Sequence, residues 1–452
     1  MKNEFKKILE IGVPSTIAWM GHILYNIVDN FMIGKMLGSE SLAISGISTS
    51  VYMIFLILGM GVSSILTAMI SESVAIKNSK QTAKIFQNGL FVCTLFGIAL
   101  FLILFFGGST IIYYANNQPH LNERIFSYLD TLSFAPIPIM IFFAFERLSE
   151  GMNRAKISMY TILICNISNI FLNYGLIGGN LGLPNMGING AALSSVINNC
   201  FEVIIVVFLS KKDAILRKVI TFKMEYFSPK LMMSITTLGI PGGLLFFLEG
   251  TAFNIANFIA SKSSINDVAA HQLLMGIVTS VLIPIFGFST ALTARIAYNV
   301  KLKKEKLAFQ IGLYGFYFTA LYMVIIMILL FIFKIEILNF MLKGDENDLI
   351  TINLVVSTLF MMIFIEIFDG IQVMGGGILR GYKDTKIPAI FALLSYWGIC
   401  IPLGYFFAIP KEMGIYGIWL GISVGILVQA ALFFARFYLK YKPKKLIEIK
   451  IF

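Results

Sequence analysis

The sequence predicts an all-α integral membrane protein: twelve transmembrane helices in two six-helix bundles related by a parallel pseudo-two-fold repeat. Three observations carry that prediction. Of 452 residues, 58% are hydrophobic and only 13% charged, against about 25% charged in a soluble domain. Apolar runs long enough to cross a bilayer follow one another from Ile11 to Leu439. The chain also resembles itself when shifted by 227 residues.

A bilayer core about 30 Å thick needs roughly 20 residues of apolar helix. Twelve segments qualify, near 9–34, 42–70, 86–107, 125–145, 157–178, 188–209, 232–260, 268–294, 308–333, 351–378, 388–409 and 414–435. At about 22 residues each they leave no room for a sizeable domain outside the membrane. The first follows a short basic stretch, as a signal peptide would. It is too long, carries Asp29 and ends at Gly34-Lys35 without a small-residue cleavage site, so a retained helix is expected.

Basic residues should then separate by side, because cytoplasmic loops are enriched in Lys and Arg. Of 35, 29 lie on the side of the N-terminus, in 1–7, 71–84, 146–156, 210–230, 295–307, 379–387 and 436–452. Only Lys35, Arg124, Lys262, Lys334, Lys343 and Lys411 lie opposite. Both termini are expected in the cytoplasm and the protein in the plasma membrane as a multi-pass chain. The net charge of +11 is explained by these clusters, not by a basic face for nucleic acid. Cys93, Cys165, Cys200 and Cys400 each sit in an apolar run without CxxC or Cys/His spacing, so they read as small core residues and support neither disulfides nor zinc.

The repeat aligns Gly12-Val13-Pro14 with Gly239-Ile240-Pro241, and Met186 to Gly190 with Met413 to Gly417. With a one-residue slip, Gly61 to Ala68 matches Gly287 to Ala294. An N-lobe (1–209, helices 1–6), a cytoplasmic basic linker (210–230) and a C-lobe (231–452, helices 7–12 and a basic tail) follow. Because six is even, the repeat is parallel. Paired bundles of this kind suit alternating access around a shared cavity.

Acids inside the spans need a reason. A carboxylate at bilayer depth costs at least about 2.5–3.5 kcal/mol on insertion scales, so it must be protonated, hydrated or paired with a cation. Asp29, Glu249, Glu366 and Asp369 lie within spans, with Asp130 and Glu202 nearer the ends, and no basic residue is close in sequence. A proton or metal cation is the natural partner. His22, Asn26 and Asp29 form one stripe at i, i+4 and i+7; Glu249, Phe253 and Asn257 repeat every four residues. Glu366, Asp369, Val373 and Gly376 share a face, and Gly375-Gly376-Gly377 permits close approach of a helix or ligand. Asn169 and Asn173 at i, i+4, with Ser194 and Ser195, can add neutral oxygens around a hard cation such as Na⁺. The structural alternative for each is an interhelical hydrogen bond. His271 and Gln272 are expected to bond helices together, and His120 to lie in an external loop.

At this point the pattern resembles the multidrug and toxic compound extrusion (MATE) family, in its NorM-type branch. The matching stretches are Gly12-Val13-Pro14 with Val28-Asp29; Gly151 through Asn173 followed by Gly187 to Leu193; Gly239-Ile240-Pro241 with Glu249; Ala269-Ala270-His271-Gln272; and Asp369 with Leu379 to Thr385. The resemblance implies a cation-coupled antiporter (Na⁺ or H⁺) that exports amphipathic, often cationic compounds. It implies Asp29 as the N-lobe carboxylate, Glu249 and Asp369 as the C-lobe pair, and Asn169, Asn173 and Ser195 as the N-lobe polar cluster. Na⁺ would bind at Glu249, Asp369 or Asp29. Glu366, His22, Asn26 and Asn257 are secondary candidates. Members often carry Asp where this chain has Asn173, and some have Tyr where it has Ile365.

No cofactor is expected beyond the coupling ion, and a monomer should suffice in the lipid bilayer. The 41 Phe and 22 Met suit a promiscuous small-molecule cavity, although lipid-facing filler explains most of them. A lipid-linked sugar flippase of the same architecture would want basic residues at the span centres, which hold none. An ion channel or ion-translocating subunit is the other rival. An enzyme is not expected, since the acids lack a metal, nucleophile or phosphate loop to work with.

Overall fold

The computed structural model describes residues 2–115, 119–341 and 346–443. Within them the chain is helical almost throughout and holds no strand. Lipid offers no partner for a backbone N–H or C=O, and a helix satisfies both within one segment.

The helices are α1 (Lys2–Leu37), α2 (Ser39–Ala75), α3 (Ser79–Ala115), α4 (Asn122–Leu132), α5 (Pro136–Gly151), α6 (Lys156–Gly178) and α7 (Gly187–Lys212). Then come α8 (Pro229–Ser263), α9 (Ile265–Lys301), α10 (Glu305–Ile332), α11 (Lys334–Met341) and α12 (Glu346–Gly381). The chain ends in α13 (Lys386–Ala392), α14 (Ile401–Ala408) and α15 (Gly414–Tyr441), with a π-helical stretch, Leu393–Cys400, joining α13 to α14.

Among the described residues ten helices are long and apolar enough to cross a membrane, or eleven when α4 and α5, bent by 41°, count as one span. The bend falls just before Pro136 and Pro138, which lack the N–H a continuous helix needs. The remaining expected span, 9–34, is α1. It is a 36-residue helix with an internal Pro14, and its His22, Asn26 and Asp29 dilute its hydropathy below that of the others.

By their contacts the helices form two compact units, Phe5–Gly243 and Met1–Glu4 with Leu244–Phe452. In the former, α6 packs on α7, and α2, α3 and α5 pack on one another. In the latter, α12 is central, against α9, α10 and α15. The segment after α7 is pinned to α3 by two side-chain amides. Gln87 Nε2 donates to the Lys223 carbonyl and its Oε1 accepts from Lys223 N, both at 3.0 Å. Asn88 does the same for the Tyr226 carbonyl and Ser228 N, at 2.7 and 2.9 Å.

Two arginines counted on the basic side are not at a surface. Arg147 in α5 and Arg295 in α9 are 5% and 4% exposed. Each is held by acids: Arg147 by Glu146 and Glu150, and Arg295 by Glu4 through hydrogen bonds of 2.8 and 2.9 Å. Cys93, Cys165 and Cys400 are buried as expected, but Cys200 is exposed, because it lies on the outer face of α7. Lys343, Lys444, Lys445 and Lys450 lie outside the described residues.

Candidate functional site

In the unit Phe5–Gly243, α1, α6 and α7 converge on Asp29. Asn169 Nδ2 donates to Asp29 Oδ1 at 3.0 Å, and Asn173 Nδ2 donates to the same oxygen. Ser195 Oγ donates to Asp29 Oδ2 at 3.2 Å, while also bonding the Ala191 carbonyl of its own helix. Both asparagines are fully buried. The i, i+4 spacing on α6 is what stacks them on one carboxylate, and Asn173 Nδ2 also reaches Asn169 Oδ1 at 3.3 Å.

Three neutral donors thus hold the Asp29 carboxyl. The same amides can serve a cation, because an amide carries an oxygen acceptor beside its donors. Asn173 Oδ1 is buried with no hydrogen-bond partner. Rotation of that amide would put its oxygen next to Asp29, giving the oxygen-rich surroundings a hard cation requires.

Two other candidates of this unit stand elsewhere. Asn26 donates to the His22 carbonyl one turn back at 3.1 Å, so it serves its own helix and not the Asp29 cluster. His22 packs edge-on against Trp19, Phe142 and Phe143. Its Nε2 lies 4.0 Å from Glu146 Oε1, away from Asp29. Ser194 is buried with its hydroxyl unpartnered.

In the unit that contains Leu244–Phe452, Glu249 of α8 and Asp369 of α12 are joined by a residue the sequence reading passed over. Gln372 Nε2 donates to Glu249 Oε1 at 2.9 Å and to Asp369 Oδ1 at 2.8 Å. Gln429 of α15 in turn donates to Gln372 Oε1 at 3.2 Å. Gln372 lies one turn beyond Asp369, on the face already drawn through Glu366 and Val373. Following that face for neutral polar groups as well as acids would have found it.

Glu366 is fully buried, and neither of its carboxylate oxygens has a hydrogen-bond partner. Asn257 is apart from Glu249: its Oδ1 accepts from Gln272 Nε2 at 3.1 Å, a bond that ties α8 to α9. Arg380 lies beside the Glu249 pocket, over the Phe246 ring at 5.1 Å and donating to Ser289 Oγ at 3.2 Å. An apolar cavity of about 680 Å³ between α10, α12 and α15, lined by Met327, Phe364 and Ile365 among others, is separate from these acids. Among the described residues no three His, Cys, Asp or Glu side chains converge as metal ligands. Any cation would therefore rest on one or two carboxylates plus neutral oxygens.

The MatE family profile matches residues 14–175 and 241–406. The chain is 27% identical to a probable multidrug resistance protein NorM of Agrobacterium fabrum, covering 97% of this chain and 95% of that one. It is 28% identical to the protein so described in Photorhabdus laumondii, covering 95% and 94%. It is 25% identical to the multidrug resistance protein MdtK of Proteus mirabilis, covering 96% and 95%. Among solved structures, a MOP superfamily transporter from Pyrococcus furiosus superposes with a TM-score of 0.86 at 18% identity, covering 97% of this chain and 96% of that one. The eukaryotic MATE transporter AtDTX14 gives 0.86 at 19% identity with the same coverage.

Proposed function

The chain belongs to the MatE family of multi-pass membrane transporters, and from that premise we propose that it is a cation-coupled antiporter exporting amphipathic, often cationic compounds. The observation that carries this reading is chemical. Each unit holds carboxylates within apolar helices, and Asp29 and Asp369 accept their hydrogen bonds from the neutral side chains of Asn169, Asn173, Ser195 and Gln372, while Glu249 shares Gln372 and has Arg380 in the same pocket. Groups held by neutral amides and a hydroxyl keep an unspent negative charge that an incoming Na⁺ or H⁺ can satisfy.

In this reading the outward-facing protein takes up the cation at Asp29 in the N-lobe and at Glu249 and Asp369 in the C-lobe. Drug is thereby released outside, and the inward-facing protein loses the cation and reloads. Coupling requires that cation and drug each prefer a different conformation, because equal affinity for both shifts nothing. Glu366, with both oxygens unpartnered, is a further proton carrier of the C-lobe. The lobes are 1–209 and 231–452, joined by the linker 210–230, with both termini in the cytoplasm and the plasma membrane as the site of action. The resemblance of relatives named as multidrug resistance proteins supports the substrate class.

The test is efflux by purified protein in liposomes, with a pH gradient and a Na⁺ gradient imposed separately. Asp29→Asn, Glu249→Gln and Asp369→Asn should each lose most gradient-driven export. Wild-type rates in all three under both gradients would refute the assignment.

A further inference from the structure

The unit Phe5–Gly243 buries a second set of ionisable groups that the antiport reading does not use. Arg147 of α5 is 5% exposed and lies between two acids of its own helix. One of its terminal nitrogens donates to Glu146 Oε2 at 2.7 Å, the other to Glu150 Oε2 at 2.8 Å. Thr67 Oγ1 of α2 donates to the same Glu150 oxygen at 3.0 Å. Glu202 is 4% exposed on α7, which packs against α5, and it lies within electrostatic reach of Glu146. Tyr25 of α1, Tyr52 of α2 and Cys165 of α6 lie within electrostatic reach of Glu202, and Cys93 of α3 within reach of Arg147.

The charges do not balance. Three buried carboxylates share one guanidinium, whose terminal nitrogens bond Glu150 and Glu146 while its Nε is buried without a hydrogen-bond partner. Glu202 Oε2 has no hydrogen-bond partner at all. A buried carboxylate left in that condition neutralises itself. A metal ion is a poor candidate for the task, since no three acidic, His or Cys side chains among the described residues converge as ligands. A proton needs only one oxygen.

The position of the group gives it a use. Asp29 and His22 are seven residues apart on α1, and Ser195 and Glu202 are seven apart on α7. Both steps are about 10 Å long. Both lead from the Asp29 cluster toward the end of the unit where α5 stops at Gly151 and α7 at Lys212. Tyr25, whose hydroxyl is buried, sits between the two levels. His22, with its side chain 22% exposed and its Nε2 at 4.0 Å from Glu146, is less buried than Glu146, Arg147, Glu150 and Glu202.

We propose that Glu202 and Glu146 together hold one exchangeable proton, a second protonation site of this unit distinct from Asp29, with His22 passing the proton between Glu146 and water. The proton moves between oxygen and nitrogen lone pairs, and no other bond changes. The proposal deepens the cation-coupled reading by giving the proton a station between Asp29 and the terminus-bearing side, but the site can be tested without transport.

The experiment is infrared difference spectroscopy of the purified protein, titrated in pH, following the carbonyl stretch of protonated carboxyls and its shift in D₂O. Glu202→Gln should remove one such band that Asp29→Asn retains, and Glu146→Gln should shift it. Glu202→Asp, which keeps a carboxyl, should restore a band at a displaced frequency, and it guards against a Gln variant that fails to fold. A Glu202→Gln spectrum identical to wild type, with Glu146→Gln also unchanged, would overturn the proposal. If the band behaves as expected while efflux ignores both gradients, the site stands and the antiport reading falls. The reverse pattern removes the site and leaves antiport intact.

Discussion

Gly377 and Ser289 bring α12 and α9 into backbone contact: a Cβ added at Gly377 would stand 2.7 Å from the Ser289 carbonyl oxygen. Hydroxyl–carbonyl bonds line the same seam, Ser289 Oγ to the Val373 carbonyl at 3.3 Å and Thr293 Oγ1 to the Gly377 carbonyl at 2.7 Å. Small residues let membrane helices approach closely where no hydrophobic drive separates protein from lipid. The seam fixes the height of α12, and with it Asp369 and Gln372.

Gly377→Ala is therefore expected to destabilise the protein by about 1–3 kcal/mol, the usual cost of overpacking against a backbone that cannot yield. Gly376→Ala is its control. A Cβ there meets nothing nearer than an Arg380 nitrogen at 3.5 Å. Thermal unfolding of the two variants in detergent should show a lowered midpoint for the first and little change for the second.

Gln372 is the donor shared by Glu249 and Asp369, so its removal should act on both acids at once. Gln372→Met keeps the volume and deletes the hydrogen bonds, each of which to a charged acceptor is worth about 1.5–3 kcal/mol. Gradient-driven efflux should fall at least about tenfold, which corresponds to about 1.4 kcal/mol, and should not recover at higher drug concentration. Gln429→Leu removes only the outer bond to Gln372 and should lose less. Equal efflux by Gln372→Met and wild type would separate Gln372 from the coupling machinery.

What the sequence could reveal divides along physical lines. Spans were legible because lipid demands long apolar runs. Asp29, Glu249 and Asp369 were legible because an acid in such a run is expensive. Neutral polar partners carry no comparable cost, so Gln372 and Gln429 were invisible as a pair, and Asn169 and Asn173 stood out only through their i, i+4 spacing. Glu146, Arg147 and Glu150 fall in the segment 146–156, just past the expected span 125–145, and a short charged run near a helix end looks the same whether it faces headgroups or turns inward. Asn26 and Asn257 were on plausible faces, yet an asparagine can satisfy itself on its own helix or a neighbour, and the local sequence does not say which. The bend before Pro136 was written in the sequence as Pro-Ile-Pro, but hydropathy averages across it.

The three groups around Asp29 should contribute unequally. Asn169 and Asn173 are fully buried and give Asp29 their amide protons, whereas Ser195 at 3.2 Å keeps a second bond to the Ala191 carbonyl. Asn173→Leu and Asn169→Leu should each reduce cation-driven efflux strongly. Ser195→Ala should reduce it by only a few fold, since a longer, shared hydrogen bond is lost and no buried donor is stranded. Initial rates in liposomes under one fixed gradient would rank the variants, and Ser195→Ala as the most damaging of the three would contradict this account of the site.

The last prediction concerns pH and lies outside the spans. Asp384, in the turn between α12 and α13, is 8% exposed. Its Oδ2 accepts from Arg436 Nε at 3.0 Å, Lys440 Nζ at 3.0 Å and Tyr441 Oη at 2.9 Å, all on α15. Burial alone would raise the carboxyl's pKa, but the hydrogen bonds from Lys440, Arg436 and Tyr441 together outweigh it and hold the pKa below its ordinary value. A carboxylate whose pKa is depressed by folding contributes stability that is fully present above its unfolded pKa, about 3.9, and lost as pH falls through the lower folded value. Asp384→Asn should thus lower the thermal midpoint by a similar amount at every pH from about 8 down to about 5. The gap between variant and wild type should close only at pH below about 4, where the native carboxyl takes up its proton. A gap that closes near neutral pH, or none at all, would show that the clamp on α15 does not act through an ionised Asp384.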